Sequence, residues 1–180
     1  MGHNVERVCP DLSNAEETFQ ILRAHMLATD KRELYSLHKN IMKEDLRLNI
    51  EKGLALTEEQ ISKAQLSRGA LVKNTNDFFE KYDLFISPAS MVSPFSIKEH
   101  WPKKVENTSF DNYVSWLMTA AAISLTGCPS LAVPCVKTEK NLPIGIQIVA
   151  KRRNESLLVS FGDAFQKYTN NYSITPIEPG

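Results

Sequence analysis

Cys128 and Cys135 fall in the segment LTGCPSLAVPCV, Leu125 to Val136, and Cys9 is the third thiol of the chain. Thiols can attack carbonyl carbons or bind metals once deprotonated. The spacing here fits no zinc pattern, and no histidine is near in sequence. Small buried side chains are the plainer reading, since unpaired Cys is among the most buried residue types. A cysteine hydrolase acting through Cys128 or Cys135 stands as a weaker alternative. His3, His25, His38 and His100 are scattered, and no metal site is expected from them. Tyr113, Trp116 and Met118 read as ordinary core residues. Lys151-Arg152-Arg153 and Lys31-Arg32 read as solvated faces, too short to argue for nucleic acid.

These side chains must be held by helices and strands in alternation. Val5 and Val8, closed by Pro10, read as a short strand. Ser13 followed by Glu16 has the form of a capping box. Ala15, Phe19, Leu22 and Met26 then recur at helical spacing. Asp30 and Glu33 repeat the box before Leu34, Leu37 and Ile41. A third helical stretch, Asp45 to Glu51, is expected to stop at Gly53. Thr57 and Gln60 open the longest helix, with Ile61, Ala64, Leu71, Phe78 and Tyr82 on one side. Continuous from Glu58 to Lys81, it would span about 36 Å. Leu84 to Ser87 is a short strand stopped by Pro88.

From Ala89 to Thr108 the chain reads as irregular, broken by Pro94 and Pro102 and anchored by Trp101. Tyr113 to Leu125 is almost uncharged and predicts a buried helix. Ser130 to Val136 and Ile144 to Ala150 read as strands joined by KTEKNLP. Neither alternates with polar residues, so both faces should be covered. Glu155 to Tyr168 predicts a helix with Leu158, Phe161, Phe165 and Tyr168 on one face. Residues 169–180, with Pro176 and Pro179, read as a tail. The expected class is α/β: a mixed β-sheet covered by helices, in one domain over residues 1–180.

Composition narrows the function. Lysines and arginines number 21, aspartates and glutamates 21, for a formal net charge of zero over 180 residues. Nucleic-acid-binding domains normally carry a basic excess, so no nucleic-acid partner is expected. No apolar run approaches the ~20 residues that cross a bilayer, so neither is a membrane. No signal peptide opens the chain, and three widely spaced cysteines suit a reducing, cytoplasmic compartment.

Three stretches in order resemble the amidase-signature hydrolases. They are GHNVERVCPDLSNAEETFQ (Gly2 to Gln20), EKGLALTEEQISKAQLSRGALVKNTNDFFEKYDLFISPAS (Glu51 to Ser90), and LTGCPSLAVPCVKTEKNLPIGIQ (Leu125 to Gln147) continued through NESLLVSFGDAF (Asn154 to Phe165). The resemblance implies a partial amidase-signature fold and hydrolysis of carboxamide C–N bonds by a Ser-Ser-Lys mechanism without a cofactor. In that mechanism a base activates the hydroxyl, and a Gly/Ser-rich loop holds the oxyanion with backbone amides. This chain has seven glycines, no two adjacent, and no Ser-Ser pair. No serine or lysine here carries over as catalytic. The resemblance therefore implies the C-terminal part of an amidase, with its catalytic half outside the chain. Met1 reads equally as the start of a split gene, of a shortened gene or of a piece cut by design.

What this part would supply is scaffold and pocket wall, with Trp116, Leu117, Thr119 and Ser124 as the candidate lining residues. The glutamyl-tRNA amidotransferase branch of the family carries an acidic residue before its Gly-Pro motif that reads the substrate's amino group. Here no Asp or Glu occurs between Asp111 and Glu139. An Asn common three residues before that glycine is Ser124. Both departures point to an apolar or aromatic amide rather than glutamine. A chain of this kind should be inactive alone and should meet a complementing N-terminal chain or a second copy of itself. The alternative is a non-catalytic, stand-alone domain that oligomerises or binds a partner.

Overall fold

The structure, a computed structural model, describes residues 2–170. A helical layer comes first: α1 (Ala15–Asp30), α2 (Arg32–His38), α3 (Glu44–Leu54) and α4 (Glu58–Phe78). The sheet follows, with β1 (Leu84–Pro88), a small ribbon of β2 (Lys104–Val105) and β3 (Thr108–Ser109), a 3-10 turn (Ser115–Leu117), α5 (Met118–Thr126), β4 (Ser130–Lys137), β5 (Pro143–Ala150) and α6 (Glu155–Thr169). Most of the expected tail falls beyond residue 170, outside the described residues, as does Met1.

Local signals explain α4 best. The Thr57 hydroxyl accepts the Gln60 amide at 3.2 Å, and Gln60 Oε1 accepts the Thr57 amide at 2.9 Å, a complete capping box. The helix is shorter than expected, ending at Phe78 with turns through Phe79 to Tyr82. Its Ala64, Leu71 and Thr75 are buried. Leu71 packs with Ala15 of α1 and with Ala122 and Leu125 of α5, flanked by Phe19, Leu22 and Met118. Thr18 Oγ1 donates to Ser67 Oγ at 2.8 Å, and Arg68 Nε donates to the Leu125 carbonyl at 3.1 Å. That carbonyl belongs to the last turn of α5, where the helix itself leaves acceptors unpaired.

Several expectations from the sequence are corrected. Val5 and Val8 form no strand, and Val5 is 83 % exposed. Being three apart, they would point to opposite faces of a strand and could not share a core. Ser13 does not cap α1: its amide donates to Asp11 Oδ1 at 2.9 Å, and the cap position is Asn14, in the left-handed region at φ 64°. Asp30 is the last residue of α1 rather than a cap, so α2 begins without one. Leu34, Leu37 and Ile41 are exposed, as are Met26 on α1 and Tyr168 on α6. Gly53 does not stop α3 but lies inside it, buried at the crossing with α1. A Cβ there would come within 2.0 Å of the Ala24 carbonyl oxygen, so only glycine allows the two backbones so close.

The sheet has the order β1-β5-β4. The expected sheet with covering helices is present. Both of its strand pairings are antiparallel, so a parallel partner that would make it mixed is not found among the described residues. Alternation along β5 serves two cores at once. Ile148 and Ala150 face α6 with Val133 and Leu158, while Val149 packs against Phe79 and Ile123 on the other side. This is why β5 lacks polar alternation, whereas β4 departs from the expectation of two covered faces, its Ser130, Ala132, Pro134 and Val136 being exposed. Gly162 lets α6 approach, since a Cβ there would meet Leu131 Cδ2 at 2.3 Å. Pro134 sits on the end strand β4, where the register shifts by a bulge between Pro134 and Val136. A residue without an amide proton is tolerated there.

Two glycine substitutions separate packing from propensity. Gly53→Ala should destabilise the fold by roughly 1–3 kcal/mol through overpacking at the α1–α3 crossing. Gly69→Ala, with nothing within 4 Å of the added carbon, should stabilise it by roughly 0.5–1 kcal/mol. Urea denaturation of the two variants beside the parent chain measures both.

Candidate functional site

A hollow of about 210 Å³ opens where the helical layer meets the segment before α5, lined by Arg23, Lys43, Asp45, Leu46, His100, Tyr113 and Trp116. Arg23 comes from the middle of α1, and Asp45 and Leu46 from the first turn of α3. His100 reaches in from the irregular stretch after β1. Tyr113 and Trp116 are set by a local device: Asn112 Oδ1 accepts the amides of Val114 and Ser115 at 3.0 and 3.2 Å. This side-chain turn starts the 3-10 segment in place of a longer helix. It also corrects the expectation of one helix from Tyr113 to Leu125. Trp116 is steadied by Phe95, edge to face with ring centres 5.8 Å apart.

Polar groups in the hollow are bonded to one another. One Arg23 Nη donates to Asn49 Oδ1 at 2.7 Å and the other to the Tyr113 hydroxyl, with the guanidinium 5.4 Å from the tyrosine ring centre. Asn49 in turn donates to the Asp45 carbonyl at 2.7 Å, which orients its oxygen toward Arg23. The Asp45 carboxylate lies 2.6 Å from His100 Nε2 and 3.9 Å from Lys43 Nζ. Behind the hollow, the Tyr35 hydroxyl and Arg47 guanidinium both donate to Glu51. The Tyr35 hydrogen bond, then that of Arg47, holds the Glu51 carboxyl below its usual range, and the same bond to Glu51 raises the Tyr35 phenol. The lining offers rings, cations and one engaged carboxylate. It is equipped to bind, and none of its residues is a serine, threonine or cysteine.

Of the four residues expected to line a pocket, Trp116 is at the hollow. Leu117 ends the 3-10 turn and is 37 % exposed, and Thr119 is half-buried at the start of α5. Ser124 is exposed, with its hydroxyl donating to the Ala121 carbonyl at 2.7 Å. Arg23, Asp45 and His100 are lining residues that the sequence does not single out. They come from three distant segments, and nothing local marks them as neighbours. A second, more open hollow of about 380 Å³ is lined by Glu16, Glu17, Gln20, Ile21 and Lys52.

The thiols are less deeply placed than expected: Cys128 and Cys135 are half-buried and Cys9 is exposed. Partial desolvation, then the nearby Asp11 carboxylate, raises the Cys9 thiol above its ordinary value, away from an activated nucleophile. Among the described residues no group of three or more His, Cys, Asp or Glu could hold a metal ion. On the β1–β5 pairing, Ser87 lies directly opposite Gln147. Ser87 Oγ and Gln147 Nε2 are both buried without a hydrogen-bond partner among the described residues.

A family model described as Amidase matches residues 2–159. The chain belongs to the amidase family. The glutamyl-tRNA(Gln) amidotransferase A-subunit of Bacillus pumilus is 28 % identical over 158 residues, which is 82 % of this chain and 31 % of that protein. Its counterpart in Listeria welshimeri is 33 % identical over 114 residues, 63 % of this chain and 22 % of that protein. This amidase-family chain thus spans about a third or less of the length of these curated relatives. A crystal structure of an amidase superposes with a TM-score of 0.80 at 21 % identity, over 90 % of this chain and 37 % of that one. A component of a vestigial protein complex that bears on the origins of an s-triazine catabolic enzyme gives 0.80 at 22 % identity, over 94 % and 36 %. These likenesses establish the fold. Among the described residues no helix is long and apolar enough to cross a membrane.

An unbonded buried amide stabilises nothing, so Gln147→Leu should leave the 180-residue chain at least as stable, with a gain of up to about 1 kcal/mol. Urea unfolding reads this directly. A loss above that size would show that the amide is satisfied.

Proposed function

We propose that this amidase-family chain is the substrate-pocket wall and sheet scaffold of an enzyme that hydrolyses carboxamide C–N bonds. Its serine nucleophile, second serine and lysine would be supplied by polypeptide outside these 180 residues. The observation that carries the reading is the family match over residues 2–159, in a chain without adjacent glycines or a Ser-Ser pair. A hydroxyl without a base and an oxyanion cradle attacks amides too slowly to matter. The hollow at Trp116 supports an apolar or aromatic amide as substrate, because its rings offer contact area, its Asp45 carboxylate is engaged by His100 and Lys43, and no acid lies between Asp111 and Glu139. Trp116 would pack against the substrate, while Leu117, Thr119 and Ser124 would border the same wall from the start and outer side of α5. No cofactor enters the reaction, and the three thiols suit the cytoplasm.

The remaining polypeptide would be a complementing N-terminal chain or a second copy. Support comes from β1 and β4, the outer strands of the three-stranded sheet. It also comes from relatives that are themselves named as subunits. A second reading, a non-catalytic domain that binds a partner or itself, is favoured by the exposed Ile86, Val136 and Leu142 on the sheet strands and their connection.

The 180-residue chain should show no amidase activity on anilides or simple aryl amides, and light scattering should report a species larger than a monomer. Co-expression with the in-frame coding segment upstream should restore serine-dependent hydrolysis that survives thiol alkylation. A tight complex without turnover would favour the second reading, and turnover by the chain alone would overturn the first.

A further inference from the structure

We infer that the hollow between α1, α3 and the 3-10 turn is a subsite for a carboxylate attached to an aromatic or similar apolar ring, read by Arg23. This deepens the reading of Trp116 as pocket wall and rests on it. The guanidinium of Arg23 has five N–H donors, and its hydrogen bonds go to two neutral acceptors, Asn49 and Tyr113. Among the described residues no carboxylate lies within ion-pairing distance of it. The acid lining the hollow, Asp45, is taken by His100 at 2.6 Å and by Lys43 at 3.9 Å.

A half-buried cation held only by neutral groups is positioned but not neutralised. Its remaining donors suit a planar carboxylate, which a guanidinium can grip with two parallel bonds. Asp45 is the one acid of the lining beside Arg23 and Lys43, so the hollow keeps a net positive charge that suits an anion. The apolar part of the ligand follows from Trp116 and Leu46. Trp116 is held edge-on by Phe95 at 5.8 Å, so its ring is already fixed and loses little freedom on contact. A volume of about 210 Å³ accommodates one ring and its carboxylate. It is below the roughly 300–1,000 Å³ of sites that take larger ligands. The substrate class is then an amide whose acyl or amine portion carries an anionic ring substituent.

The test reads binding and needs no turnover, so failure of the hydrolase reading leaves its outcome intact. Trp116 fluorescence is followed in a Trp101→Phe background while benzoate, or the neutral benzamide of like shape, is titrated in. Benzoate should saturate with at least tenfold higher affinity than benzamide. Arg23→Gln should remove that preference while benzamide binding stays unchanged, and Arg23→Lys should recover part of it. Asp45→Asn removes the opposing charge and should tighten benzoate several-fold. This variant keeps the test open should Arg23→Gln fail to fold. Equal affinities for the two probes overturn the proposal, as does a folded Arg23→Gln that binds benzoate normally or an Asp45→Asn that leaves benzoate unchanged.

Discussion

Ile148, Val149 and Ala150 have no measurable exposure, yet successive members point to opposite faces of β5. One strand therefore belongs to two cores. On one face it meets α6 through Leu158, with Phe161 and Phe165 beside it, and on the other it meets Phe79 and Ile123. The segment from the 3-10 turn through α6 is placed relative to that strand. α5 is seated by Ile123 against Val149, and the 3-10 turn that carries Trp116 leads directly into α5. The hollow thus inherits its position from burial some distance away. Side-chain alternation makes this rigid: sliding β5 by one residue would exchange the two faces and break both cores together.

The helical layer depends on a different constraint, close backbone approach. Gly53 brings α3 against Ala24 of α1, and that contact puts Arg23, next in sequence, level with Asn49 and Asp45. The guanidinium then meets a neutral amide oxygen and a phenol rather than a carboxylate. Its charge stays available at the hollow, while the neighbouring acid is held by His100 and Lys43. Polar groups so arranged include no serine, threonine or cysteine, in a family segment that spans about a third of its relatives.

Legibility follows the range of the interaction. The Thr57–Gln60 box and the apolar run of β5 are patterns of a few residues, and each is readable in the sequence. Ser13–Glu16 has an equally good local pattern and fails, because Asp11 captures the Ser13 amide and moves the cap to Asn14. Gly53 reads as a stop because glycine at a helix end usually is one, whereas here a second helix requires it. Met26, Leu37 and Tyr168 sit at helical spacing but are exposed in the described structure. Of the residues lining the hollow, Trp116 is legible from an uncharged, aromatic stretch. Arg23 and His100 are not, since their meeting depends on segments far apart in the chain.

Sequence alone determined the family, the α/β class, the absence of a Ser-Ser pair or adjacent glycines, and the strands at Ser130–Lys137 and Pro143–Ala150 to within a residue. These are properties of residue type and short-range periodicity, which a linear chain carries openly. Tertiary structure decided which cation lacks an acidic neighbour, which glycine is a contact and which polar atoms are buried unbonded. Those outcomes arise from packing between distant segments, where a shift of about one ångström changes a partner, and no local pattern encodes such distances.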